Sequence, residues 1–361
     1  MSKLSIIFCL LIVLQIPAQE NAEVKWHDLS NVGLHGRTSE KTENPFQRFP
    51  DEMKTKTREA VWKLSRNPAG VNLRFATGAD KITVQYEIEG ERQFPHMPAT
   101  GVSGIDLYVR DKTEAWQWVK GKFHFSDTIS YTFELTATEG RIEKEFMLYL
   151  PLYVSVKWMK IGLEGSEVFK VDSKSEFKPI AVYGTSITQG ACASRPGNAW
   201  ANILSRNTGL PILNFGFSGN GRLEPEIISY LAHLPVQAYI LDCLANFTAG
   251  QGAYKRLLES VMAIRKLRPD VPIVLTDHGG YPGGEVFRPE KVLYQELNTA
   301  NHQAFTTLKT QGVGHLYLLT YKELGLSAKD FVDGVHPTDG GMEKYAKAYE
   351  KLLDSILRKN E

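Results

Sequence analysis

The sequence predicts an all-β sandwich followed by a three-layer α/β domain with a five-stranded parallel sheet. Before about residue 175, apolar side chains alternate with polar ones, as in strands with one buried and one solvated face. After residue 176, short apolar runs alternate with segments of helical periodicity. Parallel strands need crossover helices, so this second pattern predicts a sheet covered on both faces. We place the sandwich at residues 24–172 and the α/β domain at residues 176–361.

Three runs carry the strand pattern of the first domain, at residues 82–88, 105–109 and 129–135. Each alternates apolar and polar residues, and Gly and Asp turn signals lie between the runs. Several such runs in succession predict an antiparallel sandwich.

Five apolar runs of buried-strand length predict the parallel sheet of the second domain. They lie at 179–183, 212–217, 238–244, Ile273–Thr276 and Leu316–Leu319. Helical patterns lie between or after them at 200–204, 227–234 and 257–267, in a segment that opens at Pro289, and at 342–357. The alternation is typical of a flavodoxin-like sheet, in which the first and third strands are neighbours.

The first 20 residues predict export. Lys3 precedes an almost wholly apolar run at 6–16, which is too short to span a bilayer and fits a secretory signal peptide at residues 1–18. A membrane anchor is the alternative. We expect a secreted or periplasmic protein, cleaved after Ala18, without stable membrane insertion.

Composition and motifs exclude several classes of function. The 42 Lys and Arg residues nearly balance 41 Asp and Glu residues, which disfavours nucleic-acid binding. The sequence contains neither a His-Glu-x-x-His motif nor a Cys/His cluster at ligand spacing, which disfavours a metal site. Residues 216–221 depart from the Gly-x-Gly-x-x-Gly pattern of dinucleotide enzymes, and no Gly-x-Ser-x-Gly elbow is present. We therefore expect no metal and no cofactor.

Five candidate catalytic residues follow predicted strands of the second domain. Ser186 follows the first strand, Gly219 the second, Asn246 the third, and Asp333 with His336 the fifth. In an open α/β sheet, ligands bind beyond the carboxyl ends of the strands. Each residue alone has a plainer explanation, such as a helix cap for Ser186 or a turn for Gly219. All of them in this order favour an active site.

These residue types together suit acyl transfer. A serine hydroxyl needs an imidazole to take its proton, and the imidazole needs a carboxylate to orient it. Ser186, His336 and Asp333 would fill these roles. The backbone amides of Ser186 and Gly219 and the side-chain amide of Asn246 would form the oxyanion hole.

The same residues resemble the SGNH (GDSL-type) hydrolases, whose blocks supply a Ser, a Gly, an Asn and a His. The resemblance covers about residues 176–358 and implies an ester-hydrolysing enzyme. Two positions depart from the family pattern: Gly184-Thr185-Ser186 stands for Gly-Asp-Ser, and Asn246 lacks its usual neighbours. The segment 104–108, Gly-Ile-Asp-Leu-Tyr, resembles the signature of an N-terminal domain fused to one branch of the family.

Three functions remain as alternatives. The favoured one is an esterase that removes acetyl groups from acylated carbohydrate or another small ester. A lipase or lysophospholipase would prefer long acyl chains. A non-catalytic glycan-binding protein would use the sandwich and leave the second domain silent. The sequence does not indicate an oligomeric state.

Other residues near the predicted site have open roles. Arg195, Asp277 and His278 could line the substrate rim, although His278 could equally be a surface histidine. Cys192 and Cys243 could form a disulfide or remain two buried thiols, and the sequence does not decide between these.

Overall fold

The computed structural model describes residues 23–40, 42–110, 115–135, 143–166, 168–172 and 175–357. The predicted signal peptide at residues 1–18 lies outside the described residues. Over the described ranges, no helix combines the length and the apolar character that crossing a membrane requires.

The amino-terminal part, residues 23–172, folds into two antiparallel sheets of five strands each. The first sheet has the order β1-β9-β3-β7-β6 and the second the order β10-β2-β8-β4-β5. The strands are β1 (Val24–Asp28), β2 (Asn72–Thr77), β3 (Lys81–Glu89), β4 (Asp106–Arg110), β5 (Gln117–Val119), β6 (Gly121–His124), β7 (Ile129–Glu134), β8 (Lys144–Tyr149), β9 (Ser155–Glu164) and β10 (Lys170–Asp172). Two helices, α1 (Glu59–Ser65) and α2 (Ala99–Val102), belong to the same part.

Both sheets contribute to one hydrophobic core. On β3, Ile82, Val84 and Tyr86 are fully buried, and they share this core with Leu73 on β2 and Leu148 on β8. The residues between them on β3 are only partly buried, which is the alternation that the sequence predicts. Two antiparallel sheets over a common core are consistent with the predicted sandwich.

The α/β part, residues 175–357, contains a five-stranded, wholly parallel sheet, as predicted. Its order is β12-β11-β13-β14-β15, the order of flavodoxin-like sheets. The strands are β11 (Ile180–Gly184), β12 (Ile212–Gly216), β13 (Ala238–Asp242), β14 (Ile273–Thr276) and β15 (Leu316–Leu319). The helices are α3 (Ser186–Gln189), α4 (Trp200–Thr208), α5 (Pro225–His233), α6 (Ala253–Leu267), α7 (Arg288–Thr310), α8 (Tyr321–Leu324) and α9 (Asp339–Leu357).

The two parts share apolar cores. Phe49, Val61 and Trp62 of the amino-terminal part pack into the core on one face of the parallel sheet, where the Phe49 ring lies 5.5 Å from that of Phe215. The core on the other face takes in Leu152. The apolar packing is therefore continuous across residue 175, where the sequence pattern changes.

A buried arginine ties the two parts together at the end of β12. The Arg48 guanidinium donates to the carbonyl oxygens of Asn214 at 2.9 Å and Gly216 at 2.8 Å, and also to those of Asn67 and Leu64. Burial lowers the pKa of Arg48 to about 9. These bonds fix the strand end from which the Gly219 loop departs.

Candidate active site

Ser186 is the first residue of α3, directly beyond the end of β11. Thr185 caps this helix, because its hydroxyl accepts a hydrogen bond from the Ile187 amide at 3.2 Å. Gly184 is required by close packing: a Cβ there would lie 1.9 Å from the hydroxyl oxygen of Thr188. The strand, the cap and the packed glycine together hold Ser186 at the carboxyl edge of the sheet.

The imidazole of His336 lies between Ser186 and Asp333. Its Nε2 is 2.8 Å from the Ser186 Oγ, and its Nδ1 is 2.7 Å from an oxygen of Asp333. A proton on Nδ1 satisfies the carboxylate and leaves Nε2 free to accept the serine proton. The fold thus brings together three residues that are up to 150 positions apart in the sequence.

Asp333 is held as a carboxylate by its neighbours. Its second oxygen accepts the backbone N–H of His336 at 2.8 Å and that of Val335 at 3.0 Å. Burial favours the neutral acid, but the hydrogen bonds from the amide and ring of His336 and from the Val335 amide outweigh it and lower the pKa of Asp333 to about 2. The carboxylate is therefore charged wherever the imidazole could act as a base.

The three predicted oxyanion donors follow the adjacent strands β12, β11 and β13 at the carboxyl edge of the sheet. The amide of Ser186 is at a helix N-terminus, where N–H groups have no intrahelical acceptor. Gly219 has a φ of +67°, a left-handed conformation that residues with a side chain rarely adopt. Apart from its two chain neighbours, no described residue has an atom within 4 Å of the position that a Cβ would take. Its backbone conformation, not the space around it, is what calls for glycine.

The side-chain amide of Asn246 is already engaged. Its nitrogen lies 3.3 Å from the carbonyl oxygen of Phe217 and 3.2 Å from that of Gly221. These bonds connect Asn246 to the loop that carries Gly219. To donate to an oxyanion, this nitrogen would have to give up or share one of its two carbonyl acceptors. Its role as an oxyanion donor therefore stays a prediction.

Gln189 is a site residue that the sequence analysis did not identify. Its fully buried side chain accepts the Ser218 amide at 3.0 Å and donates to the Leu152 carbonyl at 3.1 Å. It therefore links α3, the Gly219 loop and the amino-terminal part. Its position three residues after Ser186, one helical turn away, could have identified it from the sequence as a residue near the site.

Two further contacts come from the amino-terminal part and had no signal in the sequence. The Tyr153 hydroxyl donates to the Ser186 carbonyl at 3.2 Å. The His96 ring lies 5.7 Å from that of His336 and is nearly parallel to it, at 18°. The surroundings of the Ser186–His336 pair are thus built by both parts of the chain.

Comparison with known proteins identifies the family of the chain. The sequence model of the GDSL-like lipase/acylhydrolase family matches residues 177–354, and that of the GxDLY N-terminus of SGNH-type esterases matches residues 24–169. A Bacteroides ovatus protein called a GDSL-like lipase has 30% sequence identity and a TM-score of 0.85, over 93% of this chain and 98% of its own. The chain belongs to the GDSL-like lipase/acylhydrolase family. No curated protein matches its sequence significantly.

Solved structures with lower sequence identity share the fold. A salicylyl-acyltransferase from a tetracycline biosynthetic pathway has 19% identity and a TM-score of 0.72, over 92% of this chain and 97% of its own. An acetyl xylan esterase from the rumen bacterium Butyrivibrio proteoclasticus has 13% identity and a TM-score of 0.55, over 92% and 98%.

The Gly-Ile-Asp-Leu-Tyr segment at residues 104–108 forms a polar contact between the two parts of the chain. Asp106, only 3% exposed, accepts the Arg195 guanidinium at 2.7 Å, the Gly197 amide at 3.1 Å and the indole N–H of Trp118 at 2.5 Å. Arg195 also donates to the Tyr108 hydroxyl at 2.6 Å. Any contact between Arg195 and a substrate would compete with these bonds.

Asp277 and His278, the other predicted rim residues, are buried. Asp277 accepts the Asn301 side-chain amide, the His302 ring nitrogen and the Tyr321 backbone amide, each at 2.9 Å. His278 is 3% exposed, so it is not a surface histidine. Its Nδ1 accepts the Gly280 amide at 2.9 Å, and burial lowers its pKa to about 4. The pair holds the loop after β14 and, in this conformation, does not face solvent.

The disulfide between Cys192 and Cys243 does not form, and the alternative of two buried thiols is the one observed. The Cys243 thiol donates to the Tyr183 carbonyl at 3.4 Å, and the Cys192 thiol donates to the His96 carbonyl at 3.3 Å. Strands β11 and β13 are neighbours, as predicted, but Cys192 lies beyond α3, where its thiol faces the His96 carbonyl.

Proposed function

We propose that this chain is a serine esterase that works through an acyl-enzyme on Ser186. The observation that carries the proposal is the pair of short contacts on either side of His336, 2.8 Å to Ser186 and 2.7 Å to Asp333. Membership of an acylhydrolase family supports the same chemistry. A serine and an imidazole in contact, with a carboxylate behind, form the arrangement that activates a hydroxyl for acyl transfer.

The first half of the reaction acylates the serine. Nε2 of His336 takes the hydroxyl proton as the Ser186 oxygen bonds to the ester carbonyl carbon. The amides of Ser186 and Gly219, with Asn246, stabilise the resulting oxyanion. The carbonyl re-forms, the ester C–O bond breaks, and the leaving alkoxide takes the proton from His336.

The second half releases the acid by the same route in reverse. His336 takes a proton from water, whose oxygen attacks the acyl carbon. Collapse of the second oxyanion breaks the bond to Ser186, which regains its proton from His336. Asp333 stays ionised throughout and stabilises the charged imidazolium, in keeping with its low pKa.

For the substrate, we propose an acetyl ester on a carbohydrate. Two proteins of the same fold support this proposal by their names: the acetyl xylan esterase, and a family two carbohydrate esterase from Cellvibrio japonicus with a TM-score of 0.57. The apolar amino-terminal run at residues 6–16 supports export to the compartment where polysaccharides are met. A lipase-type acylhydrolase is the competitor, since the Bacteroides ovatus protein carries that name.

Turnover of p-nitrophenyl acetate tests the enzyme class. We expect hydrolysis by the wild-type protein and its loss in Ser186→Ala. The control is Ser229→Ala, which removes an exposed serine hydroxyl on α5. Equal rates in wild type and Ser186→Ala would refute Ser186 as the nucleophile. No turnover in either would refute the esterase and favour a non-catalytic protein.

Acyl-chain profiling then tests the substrate. A deacetylase should lose kcat/KM steadily from acetate to octanoate esters and should release acetate from acetylated xylan. A rise in kcat/KM with chain length would instead identify a lipase-type enzyme. Adding a soluble alcohol during acetate turnover separates hydrolysis from transfer, because an acyltransferase would form the new ester in preference to acetic acid.

A further inference from the structure

A cluster of four metal-ligating side chains lies beside the Ser186–His336 pair. His96, Cys192, Asp333 and His336 each offer one ligand atom, and these atoms all lie within 4.8 Å of one another. They come from three separate segments: the loop before α2, the loop after α3, and the loop before α9. The proposed esterase reaction uses neither His96 nor Cys192.

Backbone contacts fix the two residues that the reaction does not use. His96 lies in a tight turn closed by hydrogen bonds between Phe94 and Met97, at 2.9 and 3.1 Å. The His96 carbonyl accepts the Cys192 thiol at 3.3 Å. Cys192 is 6% exposed and has a φ of +65°, in the left-handed region. The thiol is thereby held against the turn that carries His96.

The donor set suits a borderline cation. Zn²⁺ is bound in proteins by thiolate, imidazole and carboxylate, most often four ligands in a tetrahedron. With metal–ligand distances of about 2.0–2.3 Å, the ligand atoms of such a site lie roughly 3.4–3.8 Å apart. Side-chain shifts of about 1 Å would bring the four atoms from their present spread to that geometry. His96 is exposed and can move without disturbing a packed core.

We propose that His96, Cys192, Asp333 and His336 form a binding site for Zn²⁺ and that its occupation switches the enzyme off. The Cys192 thiol releases its proton to solvent and becomes a thiolate ligand. The inhibition, unlike the binding, rests on the proposed esterase function.

Inhibition follows from the geometry at His336. One imidazole nitrogen faces Ser186 and the other faces Asp333. A metal on the first nitrogen removes the acceptor for the serine proton, and a metal on the second removes the contact with the carboxylate. A ligated Asp333 likewise gives up its hold on the ring. Each of these changes leaves Ser186 without a working base.

The test measures binding and activity separately. The full chain is stripped with EDTA, dialysed, and titrated with ZnCl₂ in a calorimeter and in a p-nitrophenyl acetate assay. We expect one Zn²⁺ per chain and a loss of activity with the same midpoint, reversed by EDTA. Binding without inhibition would overturn the switch. Absence of binding at about 100 µM Zn²⁺, roughly 100 times a Kd of 1 µM, would overturn the site.

Variants identify the ligands. His96→Ala removes an exposed ring and should weaken Zn²⁺ binding in the calorimeter at least tenfold. His124→Ala, an exposed histidine on β6, is the matched control and should bind zinc as the wild type does. Equal zinc affinity in His96→Ala and His124→Ala would refute the site.

A spectroscopic test reports on the thiolate independently of activity. With Co²⁺ in place of Zn²⁺, ligation by Cys192 gives a thiolate-to-metal absorption band in the near ultraviolet. Cys192→Ala should lack this band, and its near-ultraviolet circular dichroism reports whether the variant is folded. Absence of the band from Co²⁺-loaded wild type would show that Cys192 is not a ligand. If the zinc site fails while acetate turnover depends on Ser186, only this inference falls and the proposed function stands.

Discussion

Asp242 offers a quantitative test of the structure beneath the site. It ends β13, pairs in register with Gly184, and is 4% exposed. Its carboxyl accepts the Tyr349 hydroxyl at 3.0 Å, and that hydroxyl also contacts Thr276 at 2.8 Å. Burial raises the pKa of Asp242 to about 7, and the hydrogen bond from Tyr349 offsets this only in part.

The sign of the effect on stability follows from proton linkage. In the unfolded chain the Asp242 carboxyl loses its proton near pH 4, whereas in the folded protein it keeps the proton until about pH 7. The folded state therefore binds more protons in this window, and the free energy of unfolding falls as the pH rises through it. The difference between a pKa near 4 and one of about 7 corresponds to about 4 kcal/mol of unfolding free energy, lost between pH 4 and pH 8.

Asp242→Asn removes the ionisation and keeps the shape of the side chain. Relative to wild type, we expect the variant to gain up to about 4 kcal/mol in unfolding free energy between pH 4.5 and pH 8. Urea unfolding of both proteins at both pH values measures how the stability difference between variant and wild type changes with pH. Asp270→Asn is the control for loss of an exposed carboxylate. If the gain of Asp242→Asn over wild type were the same at both pH values, the account of a buried neutral acid would be wrong.

Three further substitutions test contacts at the site. Asp333→Asn should lower kcat by about 10⁴-fold with little change in KM, because the amide favours the wrong imidazole tautomer; steady-state kinetics showing less than a tenfold loss would contradict this. Arg195→Met leaves the buried Asp106 carboxylate without its cation and should cost about 3–5 kcal/mol in urea unfolding, so wild-type stability would count against the ion pair. Gln189→Leu unpairs two backbone groups and should cost about 1–3 kcal/mol and lower kcat, and unchanged values of both would show that its bonds do not hold the site.

The sequence predicts the strands of the parallel sheet to within a few residues. Strands buried on both faces are continuous apolar runs, so the predicted and observed strands differ by at most two residues at either end. The final helix starts at Asp339 instead of residue 342, because Gly340 and Gly341 in its first turn conceal the helical pattern. Helix α1 was not predicted, since its seven residues give too little periodicity.

The meeting of Ser186 with His336 was predictable because the topology of a parallel sheet places strand ends along one edge. The contacts made by His96, Tyr153 and Arg48 were not. Each joins residues from separate parts of the chain, and no local periodicity encodes such a pairing. Polar residues in long loops therefore gave no signal, although they decide how the sheet edge is covered.

These cross-contacts bear on how the nucleophile is positioned. The helix that begins at Ser186 is a single turn and cannot hold its geometry through its own hydrogen bonds. Its end is fixed by Gln189, its Ser186 carbonyl by Tyr153, and the neighbouring strand end by Arg48. All three of these supports involve the amino-terminal part. The amino-terminal part, residues 23–172, is thus a structural condition for the Ser186–His336 geometry.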